Sequence, residues 1–372
     1  VADLRKELDK AFGAKFRGAK FDSGEGRYVE VIPTGLAPVD SALGGGVGKG
    51  RISEWFGNES TGKTMLLLQL LANVQQRGGL AVLGDTEGAF DSWMFEQLDG
   101  NPETLILIPE ERCDTIEAMF DFQKWFLDEM AKRKADGDET EAVLGWDSTA
   151  GTASRHLMKT GMDKADMSVP RAMSQGMKLV QGRVKRTNVA LVYINQVREK
   201  MDSQDSSLHT PGGRAVKFHA STRLSLKFDG GSRTSQIKDA WGKSKDEAKH
   251  AEDIGRWTEG RVVKNRLTSP QQTFRLPIYT VNDWEHPVWG TPTQVGIDPV
   301  EAIWDYYLNG RFFAPGFEEK KERVIKQSGS WYQVHESLHP DGKKFHAKDW
   351  PRILEEVPRL RTLIYEEEEE TE

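Results

Sequence analysis

One octapeptide limits what this chain can fold into: Gly57-Asn58-Glu59-Ser60-Thr61-Gly62-Lys63-Thr64. It matches the pattern G-x-x-x-x-G-K-[ST]. A short apolar run at 52–56 precedes it and Met65-Leu66-Leu67-Leu68-Gln69-Leu70 follows. A strand, a glycine-rich turn and a helix in that order make a phosphate loop. The glycines Gly57 and Gly62 let the backbone wrap an anion. The N–H groups from Glu59 through Ser60 and Thr61, with the helix N-terminus, then supply positive potential to phosphates. Lys63 is expected to reach the terminal phosphates and the Thr64 hydroxyl to ligate Mg²⁺.

Such a loop needs a second carboxylate at the end of a neighbouring strand to hold the metal. Ala142-Val143-Leu144-Gly145-Trp146-Asp147-Ser148 is the best candidate, with Asp147 as the acid and a structural cap as the alternative. Hydrolysis also needs a group to orient or deprotonate water near the terminal phosphate. Asp85-Thr86-Glu87-Gly88 follows an apolar run at 80–83, so its acids stand at a strand's C-terminal end, where ligands bind in open α/β sheets. Glu87 is the candidate base. Geometry alone does not separate it from Asp85, which could equally cap the turn.

The surroundings agree with an α/β class. Strand-like runs at 52–56, 80–83, 105–108, 142–146, 189–194, 221–228 and 261–264 alternate with helical stretches at 64–76, 115–134 and 171–186. That alternation predicts a mostly parallel central sheet. Residues 229–259, with few large apolar side chains, read as an inserted loop or short surface helix. Four parts are expected: an N-terminal section at 1–35 with an amphipathic helix (3–12) and a strand (28–32); a core at 36–283; a small helix-plus-hairpin unit at 284–365; and an acidic, disordered tail at 366–372. The N-terminal section is too small to form a core of its own and is expected to pack on the main domain or on a neighbouring subunit.

Charge and cysteine content narrow the setting. The net charge is −7, yet residues 155–227 carry fourteen Lys/Arg against five Asp/Glu, and the tail holds six glutamates. A basic middle with an acidic tail accompanies nucleic-acid binding, or is plain solvated surface. No apolar run is long enough to span a bilayer. The lone Cys113 cannot form an intramolecular disulfide, which favours a reducing, cytoplasmic compartment.

Several collinear segments resemble the RecA family of DNA recombinases. They are the phosphate loop with its third-position Glu59; Asp85-Thr86-Glu87-Gly88-Ala89-Phe90-Asp91; Ala172-Met173-Ser174-Gln175-Gly176-Met177; Ile194-Asn195-Gln196-Val197-Arg198; Thr210-Pro211-Gly212-Gly213-Arg214-Ala215-Val216-Lys217-Phe218; Val262-Val263-Lys264-Asn265-Arg266; and Gly329-Ser330-Trp331-Tyr332. The set spans most of the chain, from about 34 to 332.

The resemblance implies a RecA-like P-loop ATPase core, an N-terminal polymerisation arm and a small α+β C-terminal domain, with ATP and Mg²⁺ as ligands. It implies that Gln196 senses the γ-phosphate and biases the loop that follows. Lys264 and Arg266 would reach a neighbour's ATP across a subunit interface, and Lys217 and Phe218 would lie on the opposing interface. Loops at about 157–170 and 198–213 would line a DNA path. There Arg171, Arg198 and Arg214 would meet phosphates, as would the backbone at Gly212 and Gly213. Met167 and Met201 stand where an apolar wedge could part stacked bases, or where ordinary packing would serve as well. The base of the nucleotide would lie near Asp91, with Met94 matching the family's stacking position by count and Trp93 beside it.

Three features depart from the family: Glu199 in the second loop, Met94 in place of an aromatic residue, and the length of 229–259. They are compatible with a distant member, including a phage-encoded one. The expected partners are single-stranded DNA, homologous duplex and further copies of the chain in a helical filament, with no membrane. A hexameric DNA motor on the same core is the alternative. A non-catalytic mediator is a third reading, and the intact Lys63, Thr64, Glu87 and Asp147 argue against it.

Overall fold

The computed structural model describes residues 29–149, 152–160, 168–197, 215–230, 235–238, 251–268, 270–280, 284–285, 292–293, 295–309, 323–339, 342 and 344–363. Two compact units divide the chain, Val1–Glu30 and Val31–Glu372. The helix expected at 3–12 lies outside the described residues, as does the acidic tail.

The second unit opens with β1 (Val31–Ile32), α1 (Ala37–Leu43), β2 (Val47–Gly48), β3 (Arg51–Gly57), α2 (Lys63–Gln76), β4 (Leu80–Asp85) and α3 (Ser92–Gln97). It continues with β5 (Ile106–Ile108), α4 (Ile116–Ala135), β6 (Ala142–Asp147), α5 (Arg155–Thr160), α6 (Ser168–Val184) and β7 (Val189–Gln196). Then come α7 (Ala215–His219), β8 (Thr222–Phe228), β9 (Gln236–Lys238), β10 (Asp253–Lys264), β11 (Thr273–Tyr279), β12 (Trp284–Glu285), β13 (Pro292–Thr293) and β14 (Gly296–Ile297). A ten-stranded sheet runs β14-β11-β10-β8-β3-β7-β6-β4-β5, with β9 beside β10. From β8 to β5 the neighbours are parallel. From β8 through β10 and β11 to β14 they are antiparallel.

Both faces of the parallel part are covered, because its strands are apolar on alternate sides. On β7, Ala190, Val192 and Ile194 join the core under α2, whereas Val189, Leu191 and Tyr193 join the core under α4 and α6. The side chain of Thr115 caps α4 by accepting from the Ala118 N–H at 3.2 Å. Gly145 breaks the apolar run of β6 for a packing reason: a Cβ there would lie 2.7 Å from the Leu67 side chain of α2.

Three expectations change. Residues 229–259 are not a plain surface insertion, because 236–238 and 253–259 are strand and join the central sheet. Gly255, Thr258 and Gly260 dilute the apolar signal of that strand. A Cβ at Gly255 or Gly260 would run into β11. Within the span expected as the first DNA loop, about 157–170, residues 157–160 and 168–170 are helical. The central sheet also passes the expected boundary at 283 by taking in β14.

The C-terminal part adds α8 (Pro299–Asn309), the antiparallel sheet β15 (Ile325–Ser328), β16 (Trp331–Val334) and β17 (Lys344–His346), then α9 (Trp350–Glu356) and α10 (Arg359–Thr362). It has its own apolar cluster around Tyr307, Val334, Phe345, Trp350 and Leu360, into which Ala37 of α1 also packs. Ties to the core include Ser41 Oγ to Tyr306 OH at 2.7 Å and Arg275 to Asp305 at 2.6 Å. Among the described residues no helix is long and apolar enough to cross a membrane.

Candidate functional site

Strand register gathers the sequence-predicted acids at one edge. Gly57, the last residue of β3, pairs with Gln196 of β7 and with Leu226 of β8. Asp85 pairs with Asp147 at the ends of β4 and β6. This is the C-terminal edge of the parallel strands, where α/β sheets bind ligands.

The phosphate loop turns from β3 into α2. Ser60 and Gly62 both take positive φ, +60° and +84°. A Cβ at Gly62 would also lie 2.2 Å from the Ile278 side chain of β11, which together with the positive φ favours glycine. The Thr61 hydroxyl donates to the Asn58 carbonyl at 2.8 Å, and Thr258 of β10 donates to the Thr61 carbonyl at 3.3 Å. The antiparallel extension thus braces the loop from the side.

Lys63 is largely buried and donates to the Asn58 carbonyl at 2.6 Å. Burial lowers its pKa, against the pull of Asp147, Glu87 and Glu59. The Thr64 hydroxyl donates to Asp147 Oδ2 at 2.5 Å. Burial pushes the Asp147 carboxyl up to about 6; Thr64 and Lys63 oppose that shift, while Glu87 and Asp85 add to it. An alcohol and a carboxylate joined in this way are hard oxygen donors suited to Mg²⁺, which takes few protein ligands and completes its shell with phosphates and water. Thr64 and Asp147 would hold it.

The turn after β4 separates the two neighbouring acids. Asp85 accepts from the N–H groups of Glu87, Ala89 and Phe90, at 3.2, 3.3 and 2.9 Å. It is the structural cap. Glu87 is exposed, and its Oε1 accepts from Ser148 Oγ at 2.5 Å and, at a long 3.4 Å, from Gln196 Nε2. The loop, the metal-binding pair, the candidate base and the candidate sensor are therefore neighbours.

Other residues fall elsewhere. The Asp91 side chain caps α3 by accepting from Trp93 N and Met94 N, and Met94 packs partly against the core. Trp93 is the more exposed of the two at 43%. Arg171 is exposed near the start of α6. Lys264 pairs in register with Arg223, near the start of β8, and Arg223 with Glu54, midway along β3. Three residues of strand, about 10 Å, separate that level from Gly57. Lys264 Nζ donates to the Lys217 and Phe218 carbonyls of α7 at 3.1 and 3.4 Å. Burial leads the lowering of its pKa, with Arg266 and Arg223 adding to it. Met167, Arg198, Met201, Gly212, Gly213 and Arg214 lie outside the described residues.

Sequence reasoning assigned no role to several residues around these positions. Ser148 and Thr86 carry polar groups next to the acids that were noticed, and Thr86 Oγ1 donates to the Ser148 carbonyl at 2.7 Å. Thr258 lay inside the presumed insertion. Arg223 forms a buried ion pair with Glu54 at 2.5 Å, and Asn195, beside Gln196, donates to the same carboxylate at 3.1 Å. Only the adjacency of Ser148 and Thr86 to Asp147 and Glu87 could have flagged any of them.

A phosphate loop at the switch point of a parallel sheet, with an alcohol–carboxylate pair and a second acid beside it, defines a P-loop nucleotide-binding protein. A sequence profile of the RecA N-terminal domain matches residues 2–282. Protein RecA of Thermus thermophilus is 32% identical over 369 residues, covering 97% of this chain and 92% of the relative. Protein RecA of Aquifex pyrophilus is 32% identical over 337 residues, covering 89% and 82%. Protein RecA of Rickettsia bellii is 30% identical over 368 residues, covering 97% and 91%. The chain belongs to the RecA family.

Proposed function

We propose that this chain is an ATP-dependent recombination protein that forms helical filaments on single-stranded DNA, pairs it with homologous duplex and exchanges strands. The observation that carries the reading is a separation along the sheet. Lys63, Thr64, Asp147, Glu87 and Gln196 gather at one edge, while Lys264 lies back from it at the level of Arg223 and Glu54, with Arg266 two residues farther along the chain. A chain whose transition-state cations lie away from its own phosphate loop is suited to completing the site of another copy.

In this reading Lys63 leaves the Asn58 carbonyl for the terminal phosphates of ATP, and Thr64 and Asp147 hold Mg²⁺. The ion supplies charge neutralisation along the triphosphate when bound. Glu87 accepts the proton of the attacking water. Gln196 exchanges its long contact with Glu87 for a γ-phosphate oxygen, which biases residues 198–213 between two arrangements. Lys264 and Arg266 of the adjacent copy neutralise the developing charge. DNA contacts go to the backbone through Arg171, Arg198, Arg214 and the Gly212-Gly213 amides, so base pairing rather than the protein reads sequence.

ATP turnover with and without single-stranded DNA, imaged in parallel by negative stain, tests this. Stimulated turnover with open helical filaments is the expected result. Closed rings would favour the motor, and absence of both stimulation and polymer would remove the DNA role.

A further inference from the structure

We infer that Ser148 is a positioning residue for Glu87, one that fixes which carboxylate oxygen receives the proton from water. The inference rests on the proposed role of Glu87 as base. Ser148 is 1% exposed, and its backbone is clamped from two sides. Its N–H donates to Thr86 Oγ1 at 2.9 Å, and its carbonyl accepts from Thr86 Oγ1 at 2.7 Å and from Thr152 Oγ1 at 3.2 Å. A serine held at both peptide groups delivers its hydroxyl to a set point. That point is Glu87 Oε1, 2.5 Å away.

Glu87 needs such a partner. It stands on an exposed turn, one residue before Gly88 at φ +61°. Its neighbour Asp85 spends its own carboxylate on the turn's backbone. Ser148 and Gln196 both approach Oε1, so the proton of an attacking water goes to Oε2. When Gln196 turns to a phosphate, Ser148 keeps Glu87 in place. The Ser148 hydroxyl is spent on Glu87, so its effect on the reaction runs through that carboxylate.

Reactive geometry held this tightly is sensitive to small displacements. For the full-length protein on single-stranded DNA, Ser148→Ala is expected to lower kcat for ATP about tenfold and leave KM and nucleotide affinity within about twofold. Ser148→Thr, which restores a hydroxyl, is expected to recover most of the rate.

The deciding measurement is a double-mutant cycle by single-turnover hydrolysis. With Glu87→Gln already present, adding Ser148→Ala should cost nothing further. An equal tenfold loss in both backgrounds would assign Ser148 a general structural role and overturn the inference, as would wild-type turnover by Ser148→Ala. Full activity of Glu87→Gln alone would remove the base assignment and the inference with it. Loss of rate in Glu87→Gln together with an unaffected Ser148→Ala would remove the inference and leave the base assignment standing.

Discussion

At the C-terminal edge of the parallel strands, side-chain hydrogen bonds tie Thr64 to Asp147, and Ser148 and Gln196 to Glu87. Farther back along the sheet, Lys264 rests on the carbonyl ends of α7 and is crowded by Arg266 and Arg223. The first region meets its charges within the chain. The second gathers like charge, with the buried Glu54 already engaged by Arg223 and Asn195. In the proposed reading, acid and cation are two halves of a site that a neighbouring copy completes. The same sheet also differs in kind along its width. Its parallel part holds the phosphate loop and the candidate acids, and its antiparallel part, through Thr258 and Ile278, packs against the loop.

The largest expected effect strikes the first region. Lys63→Ala removes the cation at the phosphates and should cut both ATP binding and turnover by about 1000-fold; near-normal affinity in a nucleotide-binding titration would break the assignment of this edge. Glu87→Gln should keep ATP bound, trap filaments and slow hydrolysis by about 1000-fold. Rapid turnover there would move the base elsewhere.

Lys264→Ala tests the second region. It should lower DNA-stimulated hydrolysis about 100-fold while leaving the affinity of the unassembled protein for ATP unchanged. Mixing it in equal amounts with Glu87→Gln sharpens the comparison. Each variant supplies the half the other lacks, so roughly a quarter of the interfaces should recover activity. No recovery on mixing would mean that the cations serve their own chain.

A smaller effect follows from the buried carboxyl of Asp147. Its pKa is raised to about 6, so the fold takes up a proton where the unfolded chain, near the usual value of about 3.9, has lost it. That contribution to stability is complete below about pH 4 and is lost as pH rises through about 6. Melts without nucleotide or metal should therefore show Asp147→Asn gaining on the wild type between pH 4 and 8, by at most about 3 kcal/mol. A constant difference would mean that the carboxyl is solvated. The smallest effect belongs to Asp91→Ala. Losing the α3 cap should cost about 1 kcal/mol, and an accompanying rise in KM for ATP would give Asp91 a role at the nucleotide as well.

What could be read in advance was what the chain encodes locally. The phosphate loop is eight consecutive residues whose glycines and lysine do their work in any strand-to-helix turn, so its position and neighbours were legible. The alternation of strands and helices was legible for the same reason, since burial on both faces writes itself as apolar runs. Other features depended on distance in sequence. Thr64 meets Asp147 across 83 residues, and Glu87 meets Ser148 across 61. Short polar side chains carry no periodic signal, and nothing in Ser148 or Thr258 announces a partner. The strand at 253–259 was hidden because its glycines answer to contacts with β11, not to a local preference. The difference between Asp85 and Glu87 waited on the fold too: two acids in one turn look alike until backbone N–H groups are seen to converge on one and a buried hydroxyl on the other.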